Sequence, residues 1–415
     1  VNREPLSLYV HIPFCSLKCA YCDFNSYAGL DDLVEPYCDA LIEELRLWGE
    51  VVCGRPVPTV FFGGGTPSLL PLGQIERTMA GLRESFALEE EAEVSLEANP
   101  GTVDLDYLRG LRAAGVNRLS FGVQSFHDDE LAAMDRIHSA DEAVQCYRWA
   151  REAGFERINL DFIYGLSEQP MERWQPTLER AIELAPDHMS LYALTVEEGT
   201  KLAYDIDHGR VPEPDGDMQA EMYEWSCERM ATAGYVQYEI SNWCRPGQEC
   251  RHNLVYWRNR EWLGLGPGAH SHWGSQPSAV SRQPSAFSCQ PEFRFADVYS
   301  PRRYIALVKE TVAAGVDAGA EPQEVLRQMR QVTYVEEQGA DAAMSDAAIL
   351  GLRLNEGLDV REFEQTYGIG LETAYGSALA EMTDAGLLER SNGAVRLTAR
   401  GRLLANEVFV RLLPD

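Results

Sequence analysis

The sequence predicts an α/β protein, a partial (β/α)6 TIM-like barrel followed by a mostly helical, winged-helix-like C-terminal unit. Three observations carry that expectation. Short apolar or β-branched runs alternate with amphipathic stretches from residue 7 to about 194; six such units are present; and beyond residue 321 helices give way to two short strands around an Asn-Gly turn. Alternating strands and helices build a parallel sheet, because each parallel connection needs a crossover long enough for a helix. Six units fall short of the eight that close a full barrel, so the barrel should be open.

The strand-like runs are 7–12, 59–62, 93–98, 118–121, 158–163 and 188–193. Between them 33–48, 74–86 and 140–153 repeat apolar residues every three or four positions, the helical period. Further on, 217–233 reads as a helix, 235–240 as a strand and 252–273 as an aromatic segment, while 274–290 is rich in Ser, Pro and Gln and reads as a mobile surface loop. Helices are expected at 342–353, 360–367 and 371–385, then a hairpin about Asn392-Gly393. The divisions that follow are 1–240 for the barrel domain, 241–320 for an aromatic and His-containing connecting segment, and 321–415 for the C-terminal domain.

Composition narrows the partners. The chain has 415 residues, 45% of them hydrophobic, enough for more than one core. Its net charge of -29 would repel nucleic acid and anionic lipid, so neither is an expected partner. No run approaches the roughly 18 uncharged apolar residues of a membrane span. Ten cysteines are too sparse for a disulfide scaffold, and three of them fall within eight positions. That pattern suits a metal in a reducing compartment, hence a cytoplasmic protein.

Those three, Cys15-x3-Cys19-x2-Cys22, follow the first strand directly, at the carboxyl end where parallel sheets bind ligands. Thiolates suit iron–sulfur clusters or zinc. A zinc site would need a distant fourth ligand and usually brings its cysteines in pairs, so three close cysteines favour a cluster with one iron left open. An open iron invites a small chelating ligand, and the ends of the following strands offer groups suited to an amine, a carboxylate and a ribose. Gly63-Gly64-Gly65-Thr66 lets the backbone approach closely, although a glycine triplet alone is more often a tight turn. Glu97, Gln124 and Asp161 lie on successive strands, with Arg136 soon after Gln124. Singly each is an ordinary cap or ion-pair partner; together they converge on one mouth.

With these motifs in view the chain resembles the radical S-adenosylmethionine (SAM) proteins of the oxygen-independent coproporphyrinogen III oxidase family. The resemblance rests on Tyr9-Val-His-Ile-Pro-Phe-Cys15, Tyr21-Cys22, Gly63-Gly-Gly-Thr-Pro67, Glu97-Ala-Asn-Pro100, Phe121-Gly-Val-Gln-Ser125, Asn159-Leu-Asp-Phe-Ile-Tyr-Gly165 and, near the end, Leu397-Thr-Ala-Arg-Gly-Arg402. It implies a radical SAM barrel in which Cys15, Cys19 and Cys22 hold three irons of a [4Fe–4S] cluster and SAM chelates the fourth. It further implies SAM contacts at Tyr9, Gly64, Gly65, Thr66, Glu97, Gln124, Arg136 and Asp161. If SAM is cleaved, an electron donor such as flavodoxin or ferredoxin would reduce the cluster.

Within that family the oxidases carry a fourth cysteine two positions after the third, where this chain has Phe24. Cys22-Asp-Phe-Asn-Ser26 and His252-Asn253-Leu-Val-Tyr256-Trp257 instead resemble the HemW-type haem-chaperone branch. From the residues alone, His252 and Asn253 hydrogen-bond inside the fold while Tyr256 and Trp257 fill a core; the resemblance makes His252 a candidate axial ligand to haem. Cys244, Cys250, His270 and His272 are further candidates, more readily structural, and Gly264-Leu-Gly-Pro-Gly-Ala-His270 resembles a family loop beside the pocket. The implied function is to bind haem and pass it to an acceptor protein, a respiratory one at the membrane being an example, with membrane contact made through that partner. The alternatives are oxidative decarboxylation of coproporphyrinogen III and radical SAM catalysis on another substrate. No catalytic residue is assigned.

Overall fold

The structure is a computed structural model and describes residues 4–274 and 292–414. The loop expected at 274–290 lies outside the described residues except for Gly274, which ends a strand.

Six parallel neighbours form in chain order: β1 (Ser7–Ile12), β2 (Pro56–Gly64), β3 (Ala87–Ala98), β4 (Arg118–Gln124), β5 (Arg157–Tyr164) and β6 (His188–Ala193). The crossovers are α1 (Val34–Val51), α2 (Leu72–Ser85), α3 (Leu105–Ala114), the pair α4 (Asp128–Ala133) and α5 (Ala140–Glu152), and α6 (Met171–Leu184). All six expected units are present. Their ends follow local chemistry: Asp104 caps α3 by accepting from Tyr107 N, Gly115 ends it in the left-handed region, and Ser139 with Glu142 closes a capping box on α5.

Successive strand residues face opposite sides of the sheet. One set, including Leu8, Val10, Val60, Phe62, Leu96, Leu119, Phe121, Leu160 and Met189, is buried in the main core with helix residues such as Leu41, Met79, Leu111 and Leu178. The alternate set, including Thr59, Glu93, Glu97, Ser120, Asn159, Asp161 and His188, is polar and forms hydrogen bonds across the lumen. The lumen is thus a wired polar interior rather than an aliphatic one.

The sheet continues at both edges. β7 (Val236–Glu239) and β8 (Asn242–Cys244) form an antiparallel pair, and β8 lies against β6. On the other side β9 (Trp262–Leu265) pairs parallel with β1, followed by antiparallel β10 (His270–Gly274), β11 (Glu292–Asp297) and β12 (Val332–Gln338). The result is one mixed sheet of twelve strands, and the expected divisions at 240 and 321 both fall within it. Further helices are α7 (Lys201–Asp207), α8 (Gly216–Thr232), α9 (Arg251–Trp257), α10 (Pro301–Ala314) and α11 (Pro322–Gln328).

The C-terminal residues form α12 (Ala340–Arg353), α13 (Val360–Tyr367) and α14 (Leu371–Asp384) around a small sheet. In it β13 (Leu358–Asp359) and β14 (Leu388–Ser391) flank β15 (Ala394–Leu397). Asn392 and Gly393 both take positive φ, 53° and 84°, the turn that an Asn-Gly hairpin demands. This unit has its own core, including Leu352, Phe363, Leu379, Met382 and Val395. It grips β7 from outside: Asn355 N donates to Tyr238 O at 2.9 Å and Asn355 Nδ2 to Gln237 O at 2.8 Å. Among the described residues no helix is long and apolar enough to cross a membrane.

Candidate functional site

The cysteine loop leaves the carboxyl end of β1 and is tied down at several points. Phe14–Cys15 pairs with Tyr27–Ala28, closing the loop on itself. Ala20 N donates to Met134 O at 3.3 Å, Leu202 N to Ala20 O at 2.8 Å, and Asn25 Nδ2 to Pro267 O at 2.8 Å. Cys15, Cys19 and Cys22 are half-buried thiols outside any disulfide, and all three border one cavity of about 450 Å³. Among the described residues no three metal-type side chains converge on a single point. The three sulfurs share the rim of that one cavity.

Opposite them, the end of β2 supplies a cradle that only glycine permits. Gly64 has φ +110°, and a Cβ on it would sit 2.5 Å from the His11 ring; one on Gly65 would sit 2.6 Å from Phe14 O. Gly65 N donates to Ile12 O at 2.7 Å and Thr66 N to Phe14 O at 2.8 Å, stitching the cradle to the cysteine loop. The Thr66 hydroxyl lies 3.6 Å from Cys15 Sγ.

Glu97 and Asp161 face the same cavity from β3 and β5. Gly64 N donates to Glu97 Oε2 at 3.2 Å, yet burial, and then the nearby Asp161 charge, push the Glu97 carboxyl up to about 8. Asp161 is also raised, mainly by burial, against hydrogen bonds from Ser190, Ser120 and Asn159 that favour its ionised form. A cation arriving beside Glu97 would reverse its shift. Gln124 ends β4 at φ +67°, a conformation few non-glycine residues hold, at a register shift in the ladder. Its Oε1 is buried without a partner, and so is Arg136 Nε. The rest of the Arg136 guanidinium is used: Nη2 donates to Gly122 O at 2.7 Å and Nη1 to Cys19 Sγ at 3.3 Å.

The structure thus brings together Cys15, Cys19, Cys22, Gly64, Gly65, Thr66, Glu97, Gln124, Arg136 and Asp161. Two expected residues lie elsewhere. Tyr9 does not line the cavity; it points into the lumen one layer below, where its hydroxyl meets His11 Nδ1 at 3.0 Å and its ring stacks on Phe61. His252 is 1% exposed and sits deeper still, with Nδ1 2.7 Å from Thr59 Oγ1, Nε2 2.9 Å from the Tyr256 hydroxyl and its ring stacked on Phe61. Burial lowers its pKa to about 3. Both ring nitrogens are therefore engaged in the core, as the residues alone suggest; as a haem ligand His252 stands only on the resemblance. Cys244 and Cys250 are buried as well, and His272 lies between Arg260 O and Glu292; of the candidate histidines only His270 is exposed. The loop ending at His270 is anchored where Gly266 N donates to Glu44 Oε2 at 2.8 Å.

Sequence reasoning missed Asn99, Ser120 and Tyr192, which also line the cavity. Period two would have found Ser120, two residues before Gly122 and four before Gln124 on the same strand face.

Three thiols bordering a volume, a glycine cradle and two orphaned polar groups fit a cluster-bound sulfonium nucleotide, and the fold and site together define a radical SAM protein. The Radical SAM superfamily model matches residues 9–181, and the model of the HemN C-terminal domain matches residues 340–404. The superfamily is one of [4Fe–4S] and SAM. Along its full length the chain is 36% identical to the heme chaperone HemW of Mycobacterium tuberculosis, covering 99% of this chain and 95% of that one. It is likewise 36% identical to the heme chaperone HemW of Bacillus subtilis, covering 99% of each. Coproporphyrinogen III oxidase (HemN) from Escherichia coli, a radical SAM enzyme of known structure, superposes with a TM-score of 0.80 at 26% identity over 99% of this chain and 91% of that one. The chain belongs to the HemW family.

Proposed function

We propose that this protein is a haem chaperone: it binds haem, carries a [4Fe–4S] cluster with SAM, and hands haem to an acceptor protein. The full-length likeness to two HemW proteins carries the reading. Phe24 supports it. At the position where the resemblance gives oxidases a fourth cysteine, this chain has an aromatic ring 62% exposed at the cavity rim.

In this reading Cys15, Cys19 and Cys22 ligate the cluster, and the Gly64-Gly65-Thr66 backbone and Glu97 take the amino-acid end of SAM. Gln124 and Arg136 meet the ligand with atoms that the protein leaves unpaired. Asp161, held from below by Ser120 and Asn159, accepts from the hydroxyls of the nucleoside. When bound, cluster and SAM supply one-electron chemistry, with a flavodoxin or ferredoxin as the electron source if SAM is cleaved. The chain itself orients them and shields the site, with Leu17 and Phe24 at its rim. Haem ligation by His252 would require breaking its bonds to Thr59 and Tyr256.

The likeness to HemN keeps coproporphyrinogen III decarboxylation as the second reading. One experiment separates them. Anaerobically reconstituted protein is titrated with haem and, in parallel, incubated with coproporphyrinogen III, SAM and reductant. A saturable Soret band without protoporphyrinogen is expected; turnover of coproporphyrinogen would overturn the chaperone reading.

A further inference from the structure

Below the cavity the lumen holds a chain of hydrogen bonds whose direction follows from what each group can donate. Asp161 Oδ1 accepts from Asn159 Nδ2 at 2.7 Å, and Asp161 Oδ2 accepts from Ser120 Oγ at 2.9 Å. Turning the Asn159 amide over would set its oxygen against the carboxylate, so the nitrogen faces Asp161 and the oxygen faces away. That oxygen can only accept, and it lies 3.2 Å from Ser190 Oγ and 2.7 Å from His188 Nδ1. His188 therefore carries its proton on Nδ1, which leaves Nε2 as an acceptor. The Tyr238 hydroxyl, 2.9 Å away, donates to it, and the Tyr238 oxygen accepts in turn from Asn253 Nδ2 at 3.4 Å.

Every donor in this series points the same way, from Asn253 through Tyr238, His188 and Asn159 to the Asp161 carboxylate. Bonds aligned head to tail polarise one another, and the effect gathers on the last acceptor. His188 and Asn159 are each 2% exposed and Tyr238 is 8% exposed, so water does not compete along the middle of the chain. The series starts on α9, one residue from His252, and ends on a group that lines the cavity. A network serving only to fill the core has no need to terminate on an ionisable group at a ligand site.

We propose that Tyr238 and His188 are positioning residues for nucleoside recognition: acting through Asn159 they hold Asp161 in one orientation as an acceptor, and so couple α9 to SAM binding. This deepens the reading of Asp161 as a SAM contact and rests on it. The coupling reaches the C-terminal domain as well, because Asn355 grips the backbone of Tyr238.

The test uses the full chain with its cluster reconstituted anaerobically, titrated calorimetrically with SAM and with its 2′-deoxyribose analogue. Tyr238→Phe should retain iron, sulfide and fold, weaken SAM about 3- to 10-fold, the range of one lost hydrogen bond, and reduce the preference for ribose over deoxyribose. In an Asp161→Asn background the same substitution should change affinity by less than about twofold. Asn253→Ala, at the long 3.4 Å link, should give the same pattern more weakly and serves if Tyr238→Phe does not fold. Equal weakening of both nucleotides, or full additivity with Asp161→Asn, would overturn the proposal. If Asp161→Asn alone binds SAM as the parent does, the underlying reading of Asp161 fails, and the proposal with it.

Discussion

The two ends of one barrel treat their polar groups in opposite ways. At the floor the central His252 and Glu93 are fully matched: His252 uses both ring nitrogens, and buried Glu93 accepts from Arg251 N and His252 N while pairing with Arg157 at 3.1 Å. At the mouth Gln124 Oε1 and Arg136 Nε are buried without partners, Gln124 and Gly64 hold positive φ, and Glu97 retains its proton up to about 8. Both regions hold buried Glu and Arg side chains, so residue type alone does not separate them. Convergence does: orphaned atoms such as Ser95 Oγ and Asp297 Oδ2 occur elsewhere, but at the mouth Gln124 Oε1, Arg136 Nε and two positive-φ residues meet on one cavity, where an incoming group can relieve them.

The largest expected effect tests whether the mouth is a cluster site at all. Replacing any one of Cys15, Cys19 or Cys22 by Ser should abolish the cluster, read as iron and sulfide content after anaerobic reconstitution, whereas Cys53→Ser, at an exposed position, should leave both unchanged. Zinc at full occupancy with no sulfide would break the comparison outright.

Next come two substitutions that should behave as opposites. His252→Ala strips the partner from Thr59 and Tyr256 inside the core and should lower stability by about 2–4 kcal/mol, with cluster content and SAM affinity preserved. Gln124→Gly should leave stability unchanged or slightly higher, since glycine accepts the +67° φ at little cost, while weakening SAM about 10-fold. Denaturant melts and SAM titrations on both variants check this. If His252→Ala weakens SAM and Gln124→Gly does not, the roles of floor and mouth have been exchanged.

How much of this the sequence discloses depends on how local the determining signal is. The six parallel strands were legible because each is a run such as Leu8, Val10 and Ile12 that packs under a helix of matching period. Strands β9 to β12 were passed over: Glu292–Asp297 does alternate, with Phe293 and Phe295 buried, but is short and isolated in the sequence, and Val332–Gln338 is largely exposed and carries no apolar period. What makes them strands is a register with partners far away, as in Ser7 opposite Trp262. At the site, the cysteines, glycines, Glu97 and Gln124 could be brought to one cavity from the sequence because they lie at or just past strand ends, whereas Asp161 sits within β5 and Arg136 follows α4. Tyr9 and His252 lie off the cavity for one reason: a motif fixes identity and not depth, and both side chains turn into the lumen below the mouth.

The smallest effect is also the sharpest, because the two ends should titrate stability in opposite directions. His252 has a folded pKa of about 3 against 6.5 for a free side chain, so its contribution is complete above pH 6.5 and is lost as pH falls toward 3. Glu97 has a folded pKa of about 8 against 4.5, so its contribution is complete below pH 4.5 and is lost as pH rises toward 8. Each proton changes stability by about 1.4 kcal/mol per pH unit at most, and by less for Glu97, which faces the cavity. Between pH 4.5 and 6.5 the two slopes oppose each other. Of these two, only His252 acts below that window and only Glu97 above it; His138, lowered to about 4, adds to the acid side, and Asp161, Glu44 and Asp297, raised by burial, add to the other. Denaturant unfolding of the metal-free chain across pH should therefore show an acid limb that His252→Gln makes shallower and a limb above pH 6.5 that Glu97→Gln makes shallower. Each substitution should leave the other limb unchanged, because no hydrogen bond joins the two groups directly; a single variant that made both limbs shallower would mean that floor and mouth titrate as one network.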